Sequence, residues 1–270
     1  SITLTGSNFP EKLIIAPNTD KNLSTYAAYM TTSPTKRIAD KVDGIFGLFK
    51  SGVTVSGAYS FDTSVSTRKK LGLDNPELTA EIKVGSVKQS YSFKKQEDGA
   101  YAVWYEGAKL IKKVEASSLS FIDYKVNNYY ASWVCLQSIN ELSNFTVKTP
   151  EKTYSFDIVY DDAEDAKETY VITYEGKKLT AENFQNFYQE CISLSCSDFT
   201  VDKVSGEPAM TIVFTYSDTS RAKTDVKFIK SGAAKYQYSI DGIEMGKINS
   251  SALNKILKHV EKVAKDESIK

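Results

Sequence analysis

"YAVWYEGAKLIKKVEASSL", Tyr101 to Leu119, returns downstream in altered form as "YQYSIDGIEMGKINSSAL", Tyr236 to Leu253. Each stretch begins with Tyr and alternating positions, then turns at an acidic residue followed by glycine, Glu106-Gly107 and Asp241-Gly242. Each then runs through a short apolar strand into a Ser-rich helix start. Alternation with a period of two reads as a strand. The acidic-Gly pair reads as a hairpin turn, because glycine accepts the positive φ that a tight turn requires. The repeated phrase predicts one hairpin-plus-helix unit closing each of two copies.

More of the chain pairs up on working outward. "NPELTAEIKV" (Asn75 to Val84) matches "EPAMTIVFTY" (Glu207 to Tyr216), each a strand that starts only after its proline. Pro76 and Pro208 lie 132 residues apart, and Gly107 and Gly242 lie 135 apart. Upstream, "PTKRIADKVDGIFGLFK" (Pro34 to Lys50) sets Ile38, Val42, Ile45 and Phe49 at helical spacing. "LTAENFQNFYQECISL" (Leu179 to Leu194) sets Phe184, Phe187, Tyr188 and Cys191 in the same way behind Thr180 as N-cap. Two equivalent helices are expected, with Ile38 and Phe184 aligned 146 residues apart, each followed by a short strand, "GVTVS" from Gly52 and "DFTVD" from Asp198. The fall in offset from 146 to 132 predicts a 14-residue insertion in the first copy, around "GAYSFDTSVSTRKKLGLD". A weak helix is expected around "ASSLSFID", and a strong one over "SSALNKILKHVEKVAKD", where Leu253, Ile256, Leu257, Val260 and Val263 form one face.

Strands outnumber helices and the turns are short, which predicts the α+β class: two duplicated domains, each an antiparallel sheet with helices packed on one face. The expected boundaries are 1–127 and 142–270, joined by an aromatic linker over 128–141. Tyr129, Tyr130 and Trp133 in that linker are expected to pack at the seam between domains, and they are the candidate partner or ligand contacts.

Composition narrows the function classes. Lys plus Arg and Asp plus Glu balance at 34 each, so no broad field draws nucleic acid or anionic lipid. No run of about 18 apolar residues is present to span a bilayer. The three cysteines, Cys135, Cys191 and Cys196, are an odd set without metal-ligand spacing and read as buried thiols. The single histidine, His259, sits between Lys258 and Glu261 in sequence context and reads as a surface residue of the last helix. One histidine supplies no His-rich metal site, and the chain has no Walker A loop, GxGxxG or HExxH. The acidic run at Asp157, Asp161, Asp162, Glu164 and Asp165 offers oxygen ligands for Ca²⁺, but without the EF-hand order it reads as a solvated hairpin tip. No catalytic, cofactor-binding or metal residue is assigned.

"LGLDNPELTAEIKVG", "KTYSFDI" and the two hairpin phrases resemble the family catalogued as domain of unknown function 4340, over most of Leu71 to Val260. The resemblance implies an extracytoplasmic accessory protein of gliding-type ABC transporters, of bacterial origin. Family members carry an N-terminal lipoprotein or single-span anchor, so an anchor upstream of Ser1 is the expectation. The resemblance brings no catalytic residue with it. The expected function is a non-catalytic, envelope-facing binding module acting by protein–protein contact with a transporter assembly, without cofactor or nucleic acid. Two alternatives are a glycan- or peptide-binding protein using an interdomain cleft, and a hydrolase using an Asp/Glu pair.

Overall fold

The computed structural model describes residues 1–18, 26–33, 35–52, 54–161 and 169–269, with side chains 49–51 outside that description. The expectations for Phe49, Val53, Asp162, Glu164 and Asp165 therefore lie outside the described residues. The chain divides into two compact units, Ser1–Ala131 and Ser132–Lys270. Each is built on an antiparallel sheet with few helices. Among the described residues no helix is long and apolar enough to cross a membrane.

The first unit runs β1 (Ile2–Gly6), β2 (Leu13–Pro17), β3 (Tyr26–Met30), β4 (Arg37–Ile38), α1 (Asp43–Ser51), β5 (Gly57–Ser60), α2 (Val65–Lys70), β6 (Leu78–Val84), β7 (Val87–Lys95), β8 (Tyr101–Tyr105) and β9 (Ile111–Val114). Its strand order is β4-β3-β2-β1-β6-β7-β8-β9-β5. Ile2, Leu4, Ile15, Ala80, Ile82 and Phe93 are buried, every second residue along each strand, as a half-covered sheet demands. On the covered face Tyr91 donates its hydroxyl to the Leu48 carbonyl of α1 at 3.0 Å. The other face carries a separate small cluster, Leu73, Ala102 and Ile111, with Tyr59, Leu71 and Trp104 against it. Helices were expected on one face only; here α2 lies over the β8–β9 end of the opposite face, with Arg68 against Trp104.

The second unit runs β10 (Leu142–Lys148), β11 (Thr153–Tyr160), β12 (Tyr170–Tyr174), β13 (Lys177–Leu179), α3 (Ala181–Ile192), β14 (Met210–Tyr216), β15 (Thr224–Lys230), β16 (Lys235–Ile240), β17 (Ile243–Asn249) and α4 (Ser250–Ala264). Its strand order is β13-β12-β11-β10-β14-β15-β16-β17. The expected stripe of α3 (Phe184, Phe187, Tyr188, Cys191) is buried, as are Leu253, Ile256, Val260 and Val263 of α4. Phe145 of β10 sits at the centre of the aromatic core, 5.2 Å from the Tyr188 ring, 5.4 Å from Phe214 and about equally far from Phe184 at 6.1 Å and Phe187 at 6.3 Å. The two helices are clasped by Glu190, which meets Lys255 Nζ and His259 Nδ1, each at 2.7 Å. His259 is thus a mostly covered interhelical residue, because α3 lies against the side of α4 that sequence context assigned to solvent. Asp266 accepts hydrogen bonds from Thr180 N at 2.8 Å and Thr180 Oγ1 at 2.9 Å, tying the end of α4 to the start of α3.

Three local expectations are corrected. The helix expected from Pro34 starts at Asp43, since Arg37–Ile38 pairs with β3 and Lys41 takes a φ of +52°, which a right-handed helix cannot accommodate. Ile38 is therefore on a strand while Phe184 is on a helix, and the 146-residue alignment fails there. The strands expected at Gly52 and Asp198 do not form among the described residues: Gly52 ends α1 with φ +68°, and Asp198 makes a single bridge to Lys247. "ASSLSFID" holds only a 3₁₀ turn at Ala116–Ser118. The quoted hairpins do form. Ile240 and Ile243 pair across Asp241 (φ +50°) and Gly242 (φ +80°), the two-residue turn whose twist suits a hairpin.

Phe145→Ala should remove about 3–5 kcal/mol from the second unit. Urea unfolding followed by circular dichroism is expected to show an early transition confined to part of the amplitude. A single unchanged transition would show that Phe145 is not central to that core.

Candidate functional site

A sheet edge exposes a row of unpaired N–H and C=O groups, so how each edge is covered shows where another chain can add. The edge at β4 is covered from within its unit: Asp40 N donates to Tyr129 O at 3.0 Å and Ala131 N to Ile38 O at 2.9 Å. The β17 edge is covered by the chain leaving α3. Ser197 N donates to Lys247 O at 2.8 Å and Lys247 N to Asp198 O at 2.7 Å. The strap is pinned by Lys247 Nζ, 2.7 Å from Asp202 and 3.1 Å from Thr200 Oγ1, and by buried Gln237, whose Oε1 accepts from Asp202 N at 2.7 Å. Gly246 is required there, since a Cβ would come within 2.7 Å of the Asp198 carbonyl. The β13 edge is three residues long and passes at once into α3.

The fourth edge is β5. It pairs with β9 on one side, Gly57 with Lys113 and Ala58 with Lys112. It is the last strand of its sheet, and Gly57 and Ala58 are exposed. Beyond it Phe61 is 81% exposed and Val65 71%, the highest exposures among the described large apolar residues.

The segment that carries this edge, residues 57–74, is tied down for identifiable reasons. Asp62 accepts from Ser64 N at 2.9 Å, from Ser64 Oγ at 2.8 Å and from Thr67 Oγ1, and Ser64 caps α2 by accepting from Thr67 N at 3.3 Å. These hydrogen bonds, that of Thr67 foremost, hold the Asp62 carboxyl below its ordinary range. The Arg68 guanidinium lies 4.1 Å from the centre of the Trp104 ring, a cation–π stack fastening α2 to β8. Tyr59 donates to Asp98 at 2.6 Å, and Lys113 Nζ meets the same carboxylate at 2.6 Å. Hydrogen bonds from Lys113 and then Tyr59 pull the Asp98 carboxyl down to about 2. Gln96 Nε2 donates to Leu71 O at 3.1 Å and closes the far end.

The residues singled out from sequence fall elsewhere. Tyr129 is wholly buried in the first unit, its ring 5.6 Å from Tyr124, and burial pushes its hydroxyl pKa up. Tyr130 is buried under the Arg37 guanidinium at 4.8 Å. Trp133 belongs to the second unit, bridges to Ser195 and is 40% exposed. The expected linker over 128–141 is therefore divided: residues 128–131 belong to the first unit, where Tyr130 bridges to Ala39, and residues 132–141 belong to the second. Of the three aromatics, Trp133 alone presents its ring to solvent.

Cys191 and Cys196 are buried. Cys135 is half-buried, with its thiol desolvated and pushed up to about 11, and burial raises Cys191 well above the ordinary range. Among the described residues no three of His, Cys, Asp and Glu are placed to hold a metal ion. Of the acidic run, Asp157 accepts from Asn144 Nδ2 at 2.9 Å, and Asp161 N donates to Thr169 O at 3.0 Å. Phe61 and Val65 carry no periodicity and went unnoticed in the sequence. The usable signal was the cap-like "DTSVST" that follows Phe61.

No family model, no curated protein and no solved structure matches this chain.

The Asp98 junction has a signed pH dependence. A carboxyl depressed in the folded state stabilises above its unfolded value, near 3.9, and loses that contribution as pH falls toward 2. In a Trp133→Phe chain, where Trp104 is the only indole, emission should shift between about pH 4 and 2. Asp98→Asn should abolish the shift; its persistence would mean that Asp98 does not hold the insertion. Separately, none of the three thiols should react with a neutral-pH thiol reagent until urea is added, because each is buried or desolvated and the thiolate is the reactive form.

Proposed function

We propose that this chain is a non-catalytic binding module of the cell envelope that acts by protein–protein contact with a transporter assembly. The observation that carries this reading is the β5 edge, the last strand of its sheet among the described residues, with Phe61 and Val65 exposed after it. Apolar side chains of that size standing in water beside unpaired backbone suit a partner surface. The envelope location and the transporter partner rest on the family resemblance of "LGLDNPELTAEIKVG" and the closing hairpin–helix phrase. The balanced charge favours a protein partner over a polyanion.

The two units are read as products of duplication. In both, four strands run to one edge, a helix follows, and four strands return from the sheet centre toward the other side, where β5 lies beyond β9 in the first unit. Leu78 and Met210 pair with Phe93 and Phe228 respectively, so the offsets of 132 and 135 seen in sequence recur as register. In place of Ile38 and Phe184, the equivalent residues become Ile38 and Leu179, each ending the short edge strand before its helix.

Affinity capture from crosslinked membranes of the source cell, with the full chain as bait, should enrich ABC-transporter subunits over an unrelated bait. Failure to enrich any such subunit, alongside saturable binding of a small ligand, would overturn the reading.

A further inference from the structure

We infer that β5 is completed by an extended, acidic segment of the protein partner, which adds as a further strand and covers Phe61 and Val65. This rests on the protein-contact reading and assigns to it a site and a ligand chemistry.

Three carboxylates around β5 are engaged: Asp62 with Ser64 and Thr67, Asp98 with Lys113 and Tyr59, and Glu115 with Ser56 Oγ at 2.9 Å. Arg68, Lys69 and Lys70 occupy the last turn of α2, and Arg68 is stacked on Trp104. Lys69 and Lys70 are exposed; Lys70 acts on the Asp62 carboxylate through space without a close ion pair among the described residues. Lys69 follows Val65 by four residues, so both rise from one exposed face of the helix. The segment that follows the last strand is therefore apolar at Phe61 and Val65 and positive at Lys69 and Lys70, all exposed. A strand with alternating apolar and acidic side chains matches both, its backbone meeting β5 and its carboxylates meeting the lysines. Four residues of edge offer few backbone hydrogen bonds, so the side chains must supply most of the discrimination. A second copy of this chain is a poorer occupant, since two-fold pairing through β5 would bring the same lysines together.

The probe is a fluorescein-labelled decapeptide of alternating valine and glutamate, titrated with the full chain and read by anisotropy, against a valine–lysine peptide of equal length. The glutamate peptide should bind saturably, more weakly as salt rises, and the lysine peptide should not. Phe61→Ser with Val65→Ser should weaken binding at least about tenfold. Lys69→Glu with Lys70→Glu should reverse the preference between peptides. All four side chains are exposed, so circular dichroism should be unchanged. Absence of binding, equal binding of both peptides, or indifference to these substitutions would overturn the inference. So would a concentration-dependent dimer lost on Phe61→Ser, which would give the edge to a second copy. If both substituted chains still capture transporter subunits as the wild type does, the inference falls and the proposed function stands; if the wild type captures none, the function falls.

Discussion

Every backbone N–H and C=O at the edge of an open sheet must find a partner or face water, and that requirement organises this molecule. In both units the chain leaving the central helix crosses to the last strand of the sheet before returning to the middle. In the second unit it makes one bridge, Asp198 to Lys247, and is strapped down by Lys247 and Gln237. In the first it forms β5, paired at Gly57 with Lys113. The same crossing closes β17 with a strap and closes β9 with a strand that is itself a new edge. The candidate docking site is a direct consequence of that difference.

A binding edge is useful only if it is held in place before the partner arrives, because ordering a loose segment costs affinity. The insertion meets that condition with short-range chemistry. Asp62 organises the turn into α2, Arg68 stacks on Trp104, and Asp98 gathers Tyr59 and Lys113. Trp104 Nε1 and Arg68 Nε make no hydrogen bond, so the stack depends on ring–cation contact and on the burial of Leu73, Ala102 and Ile111 beneath it. These anchors lie on the sheet side of the insertion, while Phe61, Val65, Lys69 and Lys70 lie away from it.

The second unit packs an aromatic core between its sheet and its helices. Phe145 touches rings from both α3 and the neighbouring strand β14, so one side chain couples the two layers. The Glu190 clasp and the Asp266 tie then fix α4 against α3 from the ends.

The amino-acid sequence by itself determined the strands at Leu78 and Met210, both Gly-containing hairpins, and the buried stripes of α3 and α4. Each of these is set by local forces: proline's missing N–H, glycine's positive φ, and the 3.6-residue spacing of apolar side chains. Tertiary structure alone decided the rest. Ile38 fits a helix by spacing, yet pairing with Ala27 claimed it for β4, because hydrogen bonding to a distant strand outweighed a weak local preference. His259 looked solvent-facing until α3 brought Glu190 beside it. Tyr129 and Trp133, four residues apart, ended with opposite exposures because one packs beneath β4 in one unit and the other bridges to Ser195 in the next. Phe61 is an unremarkable residue in the sequence. It becomes a candidate contact only because, among the described residues, β5 is the last strand of its sheet, and sheet order is a property that no local pattern encodes.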